Sequence, residues 1–298
     1  MQIFDHTFPQ LNRPFAVSFG KFDGVHMGHR HILDTLAEEA RKHSALSVVY
    51  SFEPRNGSSL LTTTGEKQVL FEDMGIDALV MVELGGELMA MEPEAFIMRL
   101  MSCGELKAVA VGEDFRFGRC AAGDAALLAV LGKQNGFDVH VIERVRMDGE
   151  IVSSTLIREC VKSGDVERAA RLLGREYSFT GDVVFGRQLG RQLGFSTANL
   201  LPQPCKVLPA FGVYAAYVYA EDKVWPAMVN IGVKPTVDGR ELLIESHLIG
   251  YEGDLYGKRI EVRLVRKTRD ELRFAGLNEL KAQLTLDRQL IMDSFSSH

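Results

Sequence analysis

"FGKFDGVHMGHRHILDTLAEEA", residues 19–40, leaves an apolar run and enters an amphipathic helical pattern. Between the two stand Gly20, Gly24 and Gly28, Asp23, and the histidines His26 and His29. In an open parallel sheet, ligands bind beyond the carboxyl ends of the strands, where this stretch would emerge. The glycines permit tight turning and close backbone approach. The helix start aims free N–H groups and a positive dipole end at the same place, a ready site for an anion such as a phosphate. His26 and His29 lie three residues apart and can face one object, hydrogen-bonding phosphate oxygens and stabilising charge during phosphoryl or nucleotidyl transfer. Two readings stand beside this one. A metal would need a third ligand, and none is evident. Solvated helix-start histidines would need nothing further. His31 and His43 read as surface histidines.

Working outward, "FAVSF" (15–19), "LSVVYSF" (46–52), "ALVMVEL" (78–84), "KAVAVG" (107–112) and "DVHVIE" (138–143) are near-continuous apolar runs, as strands covered on both faces are. Helical periodicity separates them at about 28–42, 65–75, 93–101 and 124–136. This alternation predicts a doubly wound parallel α/β sheet. Residues 155–173 read as two short helices joined through Gly164. From Tyr177 the pattern changes to "FTGDVVF", "GVYAAYVY", "WPAMVNIG", "LLIESHLIGY" and "RIEVRLVRK", broken by Gly, Pro, Asp and Asn. That predicts a small antiparallel barrel or sandwich, followed by a helix over 276–294. The domains are accordingly placed at 1–177 and 178–298.

The 298-residue length suits two domains. A net charge of −6 argues against a broad nucleic-acid surface, though not against a small cationic phosphate pocket. The cysteines Cys103, Cys120, Cys160 and Cys205 lack CxxC spacing, so neither a zinc site nor a disulfide framework is suggested, and mostly buried, reduced thiols are expected. No leader-like segment or membrane-length apolar run is read from the sequence, so a cytoplasmic protein is expected. Nothing in the sequence specifies an oligomeric state.

Two further segments strengthen the phosphate reading. "VSSTLIRE" (152–159) sets Ser153, Ser154 and Thr155, all good N-cap types, before a helical pattern with Arg158 one turn inside. Taken alone, this is also what an ordinary capped helix with a surface arginine looks like. "VGEDFRFGR" (111–119) leaves a strand with Gly112 and Asp114 at its exit. In the second half, Gly186, Gly190 and Gly194 recur every four residues with Arg187 and Arg191 between them, a phosphate loop or a flexible hairpin. Thr197 and Asn199 are hard oxygen donors two apart, suited to Mg²⁺ or to a polar turn. Glu245 interrupts the apolar run "LLIESHLI", where a carboxylate is costly unless paired, functional or turned outward.

"GKFDGVHMGH", "VGEDFRFGRCAAGD" and "VSSTLIR", in this order, resemble the adenylyltransferase module of bacterial bifunctional riboflavin kinase/FMN adenylyltransferases. HxGH with an SSTxIR-like segment marks the wider nucleotidylyltransferase superfamily, and DFRFG narrows it to the flavin members. "FGRQLGRQLGFSTANLLP" (185–202), "VNIGVKPTV", "IESHLIGYEGDLYGK" and "RDELRF" resemble the riboflavin kinase module. The resemblance implies a Rossmann-like domain joined to a small β-barrel. It also implies ATP as co-substrate, Mg²⁺, and riboflavin, FMN and FAD as ligands, with no nucleic acid or membrane partner. It assigns His26 and His29 to the adenylylation chemistry and Glu245 to deprotonation of the riboflavin 5′-hydroxyl. ATP contacts would come from Gly20, Phe22, Gly24, Gly28, Asp114, Ser153, Ser154, Thr155 and Arg158 in the first site. In the second they would come from Gly186, Arg187, Gly190 and Gly194. Asn230, Arg269 and Phe274 would meet the flavin, and Thr197 and Asn199 the metal.

The chain departs from the family pattern at four places. Lys21 stands for the usual Asn, and Ser196 for the Pro of Pro-Thr-Ala-Asn. The 55–64 segment lacks a His-Pro, and Gly250 stands where an Asp is common. Alternatives are a nucleotidylyltransferase with another acceptor, a riboflavin kinase with a vestigial first domain, or a non-catalytic flavin sensor.

Overall fold

A computed structural model describes residues 1–53, 59–83, 85, 88, 90–185, 193–236 and 239–296. The chain divides into two compact units, Met1–Ser154 and Thr155–His298.

The first unit is a six-stranded, all-parallel sheet. Its strands are β1 (Gln2–Phe4), β2 (Phe15–Gly20), β3 (Leu46–Glu53), β4 (Ala78–Glu83), β5 (Leu106–Gly112) and β8 (Asp138–Ile142), in the order β1-β4-β3-β2-β5-β8. The order runs one way from β2 through β3 and the other way through β5, so the topological switch point lies between β2 and β5. Strand alternation feeds two cores. Phe15, Val17 and Phe19 face a layer with Phe96, Ile97 and Leu100 of α3 (Pro93–Met101) and Leu128 and Leu131 of α4 (Ala125–Asn135). The opposite face offers the small residues Ala16, Ala108 and Ala110. These admit α1 (Met27–Lys42) through Leu33, Leu36 and Ala40, and α2 (Thr64–Asp73) through Phe71. The helices α1 to α4 and all but the shortest sheet strand were legible from periodicity. β1 is too short to show any, as are the β6–β7 (Arg116–Phe117, Gly123–Asp124) and β9–β10 (Arg146–Met147, Glu150–Ile151) ladders.

The second unit begins with α5 (Ser154–Ser163, its first residue shared with the first unit) and α6 (Val166–Leu173), turning at Gly164 with φ +87°. A side chain at Gly164 would be strained and would meet Lys267 and Tyr214, so glycine is required there. A closed antiparallel barrel follows in the order β11-β12-β15-β14-β13-β16. The strands are β11 (Tyr177–Val184), β12 (Ala198–Leu200), β13 (Gly212–Ala220), β14 (Lys223–Thr236), β15 (Gly239–Leu248) and β16 (Arg259–Arg269). Closure removes every edge, which decides between the barrel and sandwich readings. Tyr214, Ala216, Val229, Ile231, Ile244 and Val262 are fully buried and fill it. On the outer face, Val213, Ala215 and Met228 are covered by Ile291 of α7 (Leu277–Ser296). α7 is fastened by a two-pronged ion pair: Arg269 Nη2 and Nε lie 2.7 and 3.0 Å from Asp287 Oδ2, and Asp287 is 1% exposed.

Cys103 and Cys160 are buried thiols, whereas Cys120 is exposed and Cys205 half-buried. Among the described residues no helix is long and apolar enough to cross a membrane.

Candidate active sites

The first candidate site lies where β2 and β5 end. β2 ends at Gly20 and the chain turns through Phe22 (φ +47°), Gly24 (φ +86°) and Val25 (φ +39°) before α1. Positive φ at two non-glycine residues is uncommon and must be held by its surroundings. Asp23 supplies much of that hold: it is 8% exposed, and its Oδ1 accepts from the N–H groups of Leu61 (2.8 Å) and Thr62 (3.1 Å). The N–H of Gly24 donates back to Thr62 Oγ1 at 3.0 Å. The Asp23 carboxylate thus orders the turn, and this is a role the residue type alone does not distinguish from metal binding.

His26 is the N-cap of α1; its Nδ1 accepts from the N–H of His29 at 3.4 Å. The two imidazoles stack with centroids 3.6 Å apart, and the ring of Phe22 meets His29 edge-on at 5.3 Å. A Cβ on Gly28 would lie 3.3 Å from the His26 ring, so the glycine of HxGH lets that ring close down on the helix start. Ser154, the first residue of α5, donates from Oγ to the Asp23 carbonyl at 2.8 Å. The "SST" segment therefore begins beside the His26 turn, with Ser153 half-buried next to it. Thr155 and Arg158 fall in the second unit, Arg158 one turn along α5 from Ser154. At the end of β5, Asp114 is exposed and paired with Arg144 Nη2 at 3.4 Å. Sequence reasoning missed Lys67: it is 2% exposed on α2, and its Nζ donates to Ser51 Oγ (3.0 Å) and to the Lys21 carbonyl (3.4 Å). Its Nζ lies behind the turn where β2 and β3 end; the trace in sequence is a lysine on the buried side of the helix beside Phe71.

The second candidate site is a row of polar side chains across three barrel strands. β12 sets Asn199 opposite Glu245 on β15, and β14 sets Asn230 opposite the same Glu245. Residues paired in register point to one side, with Cβ atoms about 4.5–5.5 Å apart. The neighbouring positions Ala198, Ser246 and Val229 point into the barrel, so Asn199, Glu245 and Asn230 share its outer face. Asn199 is 3% exposed, and its Oδ1 is buried with no hydrogen-bond partner among the described residues. Thr197, two residues earlier, is half-buried. His247, on the same face, donates from Nδ1 to the Ser196 carbonyl (2.9 Å), and its ring meets Phe195 edge-on at 5.0 Å. This ties the Gly-Phe-Ser-Thr-Ala-Asn segment to β15. Burial holds the His247 imidazole below its ordinary pKa, against the Ser196 hydrogen bond that raises it.

Gly194 adopts φ +86° at the start of this segment. Gly186, Arg187 and Gly190 lie outside the described residues. Arg269 is occupied by Asp287. Phe274 is half-buried between β16 and α7. Glu271, close by, passes over the backbone of Gly232, where any Cβ would collide with its carboxylate. The strand glycine is the sequence trace of that approach.

A glycine-bearing turn and helix start at a sheet switch point, followed by a closed barrel carrying a carboxylate between two amides, define a two-module chain of the α/β-plus-barrel class. A family model described as FAD synthetase matches residues 8–156, and one described as riboflavin kinase matches residues 173–295. The bifunctional riboflavin kinase/FMN adenylyltransferase of Escherichia coli is 38% identical over 290 residues, covering 94% of this chain and 92% of that one. That of Haemophilus influenzae is 32% identical, covering 98% of each. The chain belongs to the bifunctional riboflavin kinase/FMN adenylyltransferase family. A crystal structure of a protein from Streptococcus pneumoniae described as a macrolide-efflux protein superposes with a TM-score of 0.87 at 25% identity, covering 98% of this chain and 99% of that one. The likeness carries the fold.

Proposed function

We propose that this chain converts riboflavin and ATP to FMN in its barrel unit and FMN and ATP to FAD in its α/β unit. The observation that carries the first half is the in-register row Asn199–Glu245–Asn230, because only Glu245 in it can accept a proton. Glu245 takes the proton of the riboflavin 5′-hydroxyl as that oxygen attacks the γ-phosphorus of ATP; the β–γ bridging bond breaks and ADP leaves. Thr197 and Asn199 are assigned to Mg²⁺. The buried, unpartnered Oδ1 of Asn199 fits a hard cation, which when bound neutralises phosphate charge. His247 keeps the Thr197 segment in place. Asn230 and Phe274 are assigned to the flavin, while Arg269, engaged by Asp287, would reach it only after releasing α7. Gly186, Arg187, Gly190 and Gly194 are assigned to ATP.

In the α/β unit, an FMN phosphate oxygen attacks the α-phosphorus of ATP and pyrophosphate leaves. No covalent enzyme intermediate is needed, so the protein's part is positioning and charge stabilisation. His26 and His29 face the reacting phosphates from the α1 start. Gly20, Phe22, Gly24 and Gly28 shape the turn beside ATP, and Asp114 lies at the nucleotide. Ser153, Ser154, Thr155 and Arg158 hold the departing β- and γ-phosphates. Functional domains of 1–177 and 178–298 remain our division, with α5 carrying residues of the first reaction although it packs in the second unit. Cytoplasmic residence belongs to this reading, since ATP serves both steps.

The test is incubation of the pure chain with riboflavin, ATP and Mg²⁺, with products separated by chromatography. FMN followed by FAD is expected. FMN alone would reduce the protein to a kinase, and neither product would end the proposal.

A further inference from the structure

Two histidines and two carboxylates converge at the far end of α1, away from the His26 turn. Glu39 and His43 are four apart and share a face of the helix end; Asp138 and His140 are two apart and share a face of β8. The pattern puts two donors on each side of one helix–strand crossing. His43 Nε2 lies 3.4 Å from Glu39 Oε2 and 3.5 Å from Asp138 Oδ2. His140 Nε2 lies 3.4 Å from the same Glu39 oxygen. Donor atoms of Glu39, His43 and Asp138 all fall within 4.8 Å of one another.

Three observations point beyond an ordinary surface ion cluster. First, both Nε2 atoms, of His43 and of His140, are buried and make no hydrogen bond among the described residues, although carboxylates stand beside them. Second, the separations match those between ligands of one ion. Two donors each about 2.0–2.1 Å from a tetrahedral zinc are about 3.3–3.4 Å apart. Third, the two carboxylates balance the charge of one divalent ion. Lys42 competes for the place: its Nζ lies 2.9 Å from Glu39 Oε2 and 3.8 Å from Asp138 Oδ2. Its side chain is 57% exposed, and it can leave toward solvent.

We propose that Glu39, His43 and Asp138, with His140 against Glu39, form a binding site for a divalent transition metal of the zinc class, clamping the end of α1 to the edge strand β8. Nitrogen and carboxylate donors without thiolate suit Zn²⁺ or Co²⁺ better than Mg²⁺. The ammonium of Lys42 stands in for the cation when no metal is bound. The site lies at the end of α1 opposite the His26 turn and needs neither activity.

The test uses the full chain, stripped with a chelator and titrated with Co²⁺ in excess Mg²⁺, with bound metal measured by dialysis and visible absorption. The unsubstituted chain should bind one equivalent more than the His43→Gln/His140→Gln variant, with an intense tetrahedral-type band that the variant lacks. Glu39→Gln alone should weaken binding by more than the ~10–100-fold typical of losing an outer partner. Lys42→Ala should tighten it, because a resident cation is removed. Far-UV circular dichroism of each metal-free variant should match the parent. Equal stoichiometry in parent and double variant, or a Lys42→Ala variant that binds no more tightly, would overturn the proposal.

Discussion

The α/β unit makes its candidate site from turns, while the barrel makes its polar row from register. In the first, Gly20 to His29 are contiguous; the N-cap and stacked imidazoles are local, and the positive φ values are held by Asp23 against Leu61 and Thr62. In the second, Asn199, Asn230 and Glu245 are scattered over 47 positions of sequence and meet only because β12, β15 and β14 are neighbours. A turn-built site tolerates little change in its own loop but is indifferent to distant strands. A register-built site would be scrambled by a one-residue slip in β15, which moves Glu245 into the barrel and Ser246 out.

The widest separation should come from Glu245→Gln. It should cut FMN formation from riboflavin by roughly 10²–10⁴-fold, the usual loss of a general base, while FAD formation from supplied FMN stays within about twofold. Next, His29→Ala should lower FAD formation by roughly 10²–10³-fold and spare the kinase reaction, since a donor to the charged transition state is lost. Smaller still is Asp23→Ala, which strands the N–H groups of Leu61 and Thr62. It should cost roughly 1.5–3 kcal/mol in urea unfolding of the α/β unit. It should leave riboflavin phosphorylation intact, because the turn belongs to one site only. The least effect is in the barrel. Burial depresses the His247 pKa, so the unfolded chain takes up its proton first as pH falls. The stability from neutral, buried His247 is present above about pH 6.5 and is lost as pH drops through the lower folded value. His247→Gln should flatten that part of the barrel's thermal midpoint between pH 7 and 5; an unchanged slope would count against the buried, neutral imidazole.

The same contrast explains what could be read from sequence. Strand and helix identities in the first unit followed from near-continuous apolar runs alternating with 3.6-residue periodicity, and the phosphate reading of residues 20–29 needed no family. Read from its own residues, Glu245 was visible only as an ill-placed carboxylate; its role as a base came from the family resemblance. Its pairing with Asn199 depends on β12, which at three residues is too short for a local pattern to announce. Arg269 shows the opposite case. Its residue type suits a ligand, but Asp287, brought in by α7, takes it up, and a contact between residues 18 apart across a turn carries no periodic signal. His43 read as a surface histidine because Asp138, which it faces across the crossing, lies far along the sequence on β8.

The claim that one chain holds two independent sites is tested most directly by mixing the Glu245→Gln and His29→Ala proteins with riboflavin, ATP and Mg²⁺. Each alone should make FAD from riboflavin only at its residual rate, and the mixture should make it far faster, because FMN released from one barrel can be adenylylated by the other protein's α/β unit. A mixture no better than either variant, with each folded and each having lost both reactions, would contradict the account.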